Sequence, residues 1–186
     1  KIDNNLKYDL LNETAISVCE VDNNYLKENT DLRVVYPYAE IMDAKERVKE
    51  NIWYKTDTHW NNIGSYVGTA ALMEELGIKM PDIDSDEITI TARDNMSGDL
   101  AGILNLKKQL KFADREYMVE GYDLHSREVL EPNDSEIMHF RATDADPRTI
   151  YVIGDSFSTQ MAFYIGSQFD ESYVRPPILN SYDDLV

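Results

Sequence analysis

Apolar positions recur at helical spacing most clearly between Ile63 and Leu76, where Ile63, Tyr66, Val67, Ala70, Ala71 and Met73 share one side. Asn61 or Asn62 can cap the start of this helix and Gly77 can end it. A second helix is predicted over Phe157 to Phe169, with Phe157, Met161, Ala162, Ile165 and Phe169 on one side. It follows Thr149-Ile150-Tyr151-Val152-Ile153, a near-continuous apolar run that reads as a buried parallel strand ending at Gly154. Thr14 to Val21 and Leu32 to Tyr36 are rich in β-branched residues and predict short strands, with a turn or short helix over Asp22 to Asn29 and a stop at Pro37. Ile41 to Asn51 is helical in composition but weakly patterned, and Glu87 to Thr91 alternates as a strand does. Asp94 to Asp99 reads as a polar loop around Gly98. Lys111 to Tyr122 fits either the strands of a hairpin or an inserted segment. Strands alternating with helices argue for a layered α/β fold.

With 186 residues and no repeat or linker, the expectation is a single domain spanning 1–186, trimmed at both ends. No run reaches the roughly 18 apolar residues that a membrane span needs. A net charge of −17, from 35 acidic and 18 basic residues, repels nucleic acid and suits a neutral or cationic partner. Cys19, the one cysteine, lies in an apolar stretch and is expected in the core. His59, His125 and His139 show no metal-ligand spacing, so no metal or cofactor is expected, and the last two read as surface residues. The acidic segment Asp82 to Glu87 lacks the spacing and glycine of a calcium loop and reads as solvated.

Two segments carry chemistry. Gly154-Asp155-Ser156-Phe157-Ser158 stands where a strand passes into a helix, at the carboxyl end of the strand, where open α/β sheets bind ligands. A serine there exposes its hydroxyl and sets its N–H at a helix N-terminus, able to stabilise an oxyanion. The bland alternative is that Asp155, Ser156 or Ser158 merely caps the helix. The second segment is Tyr54-Lys55-Thr56-Asp57-Thr58-His59-Trp60-Asn61. A serine hydroxyl needs a base to take its proton, and an imidazole needs a carboxylate on its other nitrogen to fix the tautomer. Residues two apart in an extended loop point the same way, so Asp57 can serve His59. Trp60 is either a stacking platform for a sugar ring or an anchor for this loop.

Together these segments resemble the alginate O-acetyltransferase-like branch of the SGNH hydrolase superfamily, which includes the DHHW-type proteins of Gram-positive bacteria. The Asp-x-His-Trp motif precedes the Gly-Asp-Ser motif, the permuted order of that branch. Ser97-Gly98-Asp99-Leu100 resembles its Gly-Asp-Leu segment, and Val34-Val35-Tyr36-Pro37 its early strand and proline. Thr58 departs from the DHHW pattern, which has histidine there. The resemblance implies an SGNH-hydrolase-like three-layer α/β/α fold with a mainly parallel central sheet. It implies acetyl transfer to hydroxyls of an extracellular or cell-wall polysaccharide, with Ser156 as nucleophile, His59 as base and Asp57 as orienting acid. Trp60, Tyr36 and Gly98 are the substrate-side candidates, Gly98 as an oxyanion donor. It further implies an extracytoplasmic protein, secreted or anchored at the cell surface, whose acetyl donor comes from a membrane-bound acyltransferase partner. A carbohydrate esterase with the same triad, or an idle polysaccharide-binding or assembly module, are the competing readings.

Overall fold

The computed structural model describes residues 17–122, 127–130 and 137–175. The chain forms two compact units, Lys1–Tyr36 and Pro37–Val186. In the first, helix α1 spans Val18–Asn29. Ser17 caps it, its Oγ accepting from the Glu20 N–H at 3.1 Å. Thr30 closes it, its N–H and hydroxyl both donating to the Leu26 carbonyl. The predicted strand over Thr14 to Val21 is therefore a helix from residue 18 onward, and residues 14–16 lie outside the described ones. Ser17-x-x-Glu20 is the start of a capping box, and that signal outweighs the β-branched composition. Leu32 to Tyr36 pairs with no other strand among the described residues, so the expected strand makes no sheet. Cys19 is exposed on α1 and not in a core.

In the second unit, α2 spans Tyr38–Val48 and buries Ile41 and Ala44. Helix α3 spans Asn62–Glu75. Its cap is Asn61, fully buried, whose side chain accepts from the Ile63 and Gly64 N–H groups. Gly77 just beyond the end has φ +81°, a left-handed turn that glycine makes without strain. Strand β1 (Thr89–Met96), the short helix α4 (Asp99–Ile103) and strand β2 (Asp114–Glu120) follow, with β1 and β2 antiparallel. Lys111 to Tyr122 thus contributes one strand of a hairpin whose other strand is β1. Strands β3 (Arg127–Leu130), β4 (Met138–Ala142), β5 (Asp146–Ile153), helix α5 (Ser156–Gly166) and β6 (Phe169–Arg175) complete the unit.

The four-stranded sheet runs β3-β4-β6-β5. Only β5 and β6 are parallel; β3–β4 and β4–β6 are antiparallel. Among the described residues the sheet is therefore not mainly parallel as expected, because only β5–α5–β6 makes the helical crossover that parallel neighbours require. Nor is β5 a buried central strand. Among the described residues it lies at the edge, with Ile150 and Val152 turned to the core and Tyr151 and Ile153 71% and 65% exposed. Helix α5 packs on β4 and β6, and α3 packs between α5, α2 and β2. Tyr66, Tyr122 and Tyr164 meet edge-to-face at the centre, with ring centroids 4.7–6.1 Å apart.

Two glycines set how closely these layers approach. A Cβ on Gly166 would meet the buried ring of Phe140 at 2.5 Å, and one on Gly64 would meet the Ile52 carbonyl oxygen at 2.5 Å. The Gly64 neighbour is backbone and cannot rotate away. Gly64→Ala should lower stability to chemical denaturation by about 1–3 kcal/mol, as overpacking does. Gly77→Ala meets nothing in space and should cost only left-handed strain, about 1 kcal/mol.

Candidate active site

The Asp57–His59 segment is a tight loop pinched at its base. Trp53 and Trp60 form an isolated antiparallel bridge, the Tyr54 N–H donates to the His59 carbonyl and the Asn61 N–H to the Ile52 carbonyl at 3.0 Å. Asp114, at the start of β2 and buried, holds the loop from beneath. Its Oδ1 accepts from the Lys55 N–H at 2.6 Å, and its Oδ2 accepts from the Thr56 N–H at 2.7 Å and from the Thr56 hydroxyl. The Thr56 hydroxyl in turn accepts the Gly98 N–H at 2.9 Å. On the other side, Asp99 clamps Thr58, taking its N–H at 2.9 Å and its hydroxyl at 2.7 Å.

Within this frame Asp57 Oδ1 lies 2.6 Å from His59 Nδ1 and also accepts the His59 N–H at 3.0 Å. Asp57 Oδ2 accepts the Asp99 N–H at 2.9 Å. Burial pushes the Asp57 carboxyl upward, but the hydrogen bonds from His59 and from the Asp99 backbone prevail and hold it below the usual carboxylate range. An ionised carboxylate only accepts, so Nδ1 carries a proton and Nε2 is the nitrogen turned toward the serine. That Nε2 lies 2.6 Å from Ser156 Oγ, across 97 positions of sequence.

Ser156 is the first residue of α5. Capping is done by Asp155, whose Oδ1 accepts the Phe157 N–H at 2.9 Å. Ser158 is buried and its hydroxyl donates to the Asp155 carbonyl. Neither neighbour competes for the imidazole, and Ser156 is left exposed beside it. Gly154 permits this turn, since a Cβ there would meet Ser158 Cβ at 2.7 Å.

The substrate-side candidates fare differently. The Gly98 N–H, expected as an oxyanion donor, is turned into the loop and engaged by Thr56. Its role is space: a Cβ at Gly98 would overlap the Asp57 side chain and the Thr56 carbonyl. Trp60 is half-buried, its indole against Gly68 of α3 and edge-on to Phe157 at 5.4 Å, the position of an anchor rather than an open platform. Tyr36 belongs to the first unit, where its hydroxyl meets that of Ser17 at 3.1 Å. His139 is half-buried and stacked on Tyr173 at 4.2 Å, and His125 lies outside the described residues. Asp82, Asp84, Asp86 and Glu87 are exposed. Asp57, His59 and Asp99 gather ligand-type atoms within 4.8 Å of one another, but both His59 nitrogens are committed, one to Asp57 and one to Ser156.

The family of the SGNH hydrolase-like domain, acetyltransferase AlgX, matches residues 33–180. The chain belongs to this family. Its fold is the SGNH-hydrolase-like one expected from the motif order. Among solved structures it is similar to a DHHW family protein from Eubacterium siraeum, with TM-score 0.68 and 15% identity over 92% of this chain and 64% of that one. It is also similar to Bacillus cereus PatB1, with TM-score 0.59 and 14% identity over 87% of this chain and 66% of that one. The chain thus spans about two thirds of the length of each. No curated protein sequence matches it.

Asp99, Asp114 and Thr56 are the residues that sequence reasoning missed. Asp99 stood within the noted Gly-Asp-Leu segment, whereas nothing near Asp114 in sequence marked it as support for a loop 58 positions away. Gly98→Ala should displace Asp57 and shift or abolish the hydrogen-bonded His59 Nδ1 proton signal in NMR. Reactivity depending on that pair should fall on the order of a hundredfold. The low Asp57 value also sets a sign. A carboxyl lowered on folding contributes stability above its unfolded value and loses it as pH falls through the folded one. Asp57→Asn should therefore remove part of the stability loss seen below about pH 4 in acid titration.

Proposed function

We propose that this domain is a serine-dependent O-acetyltransferase that moves an acetyl group through an acetyl-Ser156 intermediate onto hydroxyls of an extracytoplasmic polysaccharide. The observation that carries the reading is the continuous relay Asp57–His59–Ser156, with two heavy-atom separations of 2.6 Å. Membership in an acetyltransferase family supports the choice of acyl group.

The chemistry follows from the relay. Ser156 Oγ attacks the carbonyl carbon of an acetyl donor as its proton passes to His59 Nε2. The Asp57 carboxylate stabilises the imidazolium that forms. The N–H of Ser156 lies at the α5 N-terminus, where the first turn offers donors without helical partners and a partial positive charge for the oxyanion. Collapse breaks the bond to the donor's leaving group, which takes the proton from His59. A sugar hydroxyl then gives its proton to His59, attacks the acetyl carbon and releases Ser156 as the alcohol. Water in place of the sugar would make the protein an esterase; the difference lies in which acceptor is held beside the acyl group.

No helix among the described residues is long and apolar enough to cross a membrane. In this proposal the acetyl donor reaches the protein outside the cytoplasm through a membrane-bound acyltransferase partner, and the acidic surface leaves nucleic acid out of the account.

A double-mutant cycle tests the relay. Ser156→Ala and His59→Ala should each slow turnover of an activated acetyl ester on the order of a thousandfold, and the pair together little more. Multiplicative losses would separate the two residues and remove the mechanism. Ser158→Ala, whose hydroxyl only closes the helix start, should cost about 1 kcal/mol of stability and leave turnover near wild type.

A further inference from the structure

A cavity of about 630 Å³ lies apart from the triad. It lies on the other flank of the same loop. Trp53, Tyr54 and Lys55 line it from the loop, Phe112 from the segment entering β2, Arg115 and Tyr117 from β2 itself, Asp94 from β1, and Glu50 from the chain before the loop. Asp114, which fixes Lys55 and Thr56, is part of its wall, so the cavity and the Asp57–His59 segment share one support.

We propose that this cavity holds a sugar unit of the acceptor, and that the sugar is neutral or amine-bearing rather than a uronate. The transferase reading gives the bound sugar its purpose, but the site itself can be tested by binding alone. Three observations carry the assignment. First, Trp53 and Phe112 are 40% and 69% exposed at the mouth, large apolar faces left to solvent beside polar groups, the mixture that suits the apolar faces of a pyranose. Second, hydrogen-bonding groups line the same cavity. Arg115 pairs with Asp94 at 2.9 Å and approaches Glu50 at 3.8 Å, and the Tyr117 hydroxyl donates to Glu50 at 2.8 Å. Burial, then nearby acidic groups, pushes Tyr54 up to about 12. Burial, then Glu50, does the same for Tyr117, so both are neutral hydroxyls. Third, carboxylates outnumber cations in the lining, three to two. Glu50, Asp94 and Asp114 face Lys55 and Arg115, and Arg115 is already paired with carboxylates, in a chain of net charge −17. A chain of uronates would meet like charge there, whereas an amine would meet partners.

Continuity with the site above is aromatic. Trp53 meets Trp60 at 6.0 Å, Trp60 meets Phe157 at 5.4 Å, and Phe157 meets His59 at 4.8 Å. A saccharide seated against Trp53 therefore lies a few ring spacings from the reacting atoms, the reach of a neighbouring sugar in the same chain.

The test is tryptophan fluorescence and calorimetric titration of the Ser156→Ala protein with three hexasaccharides of matched linkage: neutral N-acetylglucosamine, amine-bearing glucosamine and a uronate. Binding then requires no chemistry. The neutral or amine-bearing probe should bind more tightly than the uronate, and Trp53→Ala and Phe112→Ala should each weaken that binding about tenfold. Phe112 is the exposed member, so its variant keeps the test informative should Trp53→Ala disturb the bridge to Trp60. Tyr151→Ala, an exposed aromatic outside the cavity, should bind as the parent does. Binding unchanged in both cavity variants, binding to none of the three probes, or preference for the uronate would each overturn the assignment. The acetyl-ester cycle above is independent of these outcomes, so a failed acceptor site and a failed transferase reading give different patterns.

Discussion

The Asp114 carboxyl group is the point on which the site depends. It is buried, and it satisfies its oxygens with two backbone N–H groups and one hydroxyl of the loop that carries Asp57 and His59. A buried polar group must find partners or carry a penalty of about 1–3 kcal/mol, so the loop and β2 can only separate at a cost. From there the order propagates: the Thr56 hydroxyl accepts the Gly98 N–H, Gly98 admits the Asp57 side chain against its Cα, and the Asp99 N–H donates to Asp57 Oδ2. The carboxylate of the triad is thereby held on one side by the Asp99 N–H and by packing on Gly98, and on the other by His59.

The other half of the site arrives on α5, and the meeting is made by core packing. Tyr164 of α5 donates its hydroxyl to the Asn62 carbonyl at the start of α3, and its ring packs edge-to-face on Tyr66 of α3 at 5.3 Å. The start of α3 immediately follows the His59 loop, and Ser156 starts α5. Docking the two helices with this register brings the hydroxyl to the imidazole. Phe157, the residue after the nucleophile candidate, lies against both the His59 and Trp60 rings and closes the apolar side of the contact.

Much of this was legible in the sequence because it depends on local patterns. The periodicity of Ile63 to Leu76, the Asn61 cap and the strand-to-helix step at Gly154 all emerged close to where they were expected. The two chemical motifs, in permuted order, pointed to the family. Less legible were features decided by distant partners. Thr149 to Ile153 is as apolar as a buried strand, yet its place at the edge of the sheet among the described residues depends on which strands come to lie beside it. Gly98 read as an oxyanion donor from its position, but its N–H is spent on Thr56 and its value is the missing side chain. Asp114 looked like any acidic residue. Val18 to Val21 was a local signal misread: composition favoured a strand, and the capping pair Ser17 and Glu20 decided for a helix.

The account rests on Ser156 becoming acylated because His59 and Asp57 are held where they are. The direct measurement is rapid-quench mass spectrometry of the intact protein after mixing with an activated acetyl ester, with peptide mapping of the modified residue and a chase of oligosaccharide or water. The account predicts a single acetyl group on Ser156, formed faster than it is lost to water and discharged by oligosaccharide with one acetylated sugar per acetyl-enzyme consumed. Acetyl found on another residue, or none accumulating while ester is turned over and sugar acetylated, would contradict it.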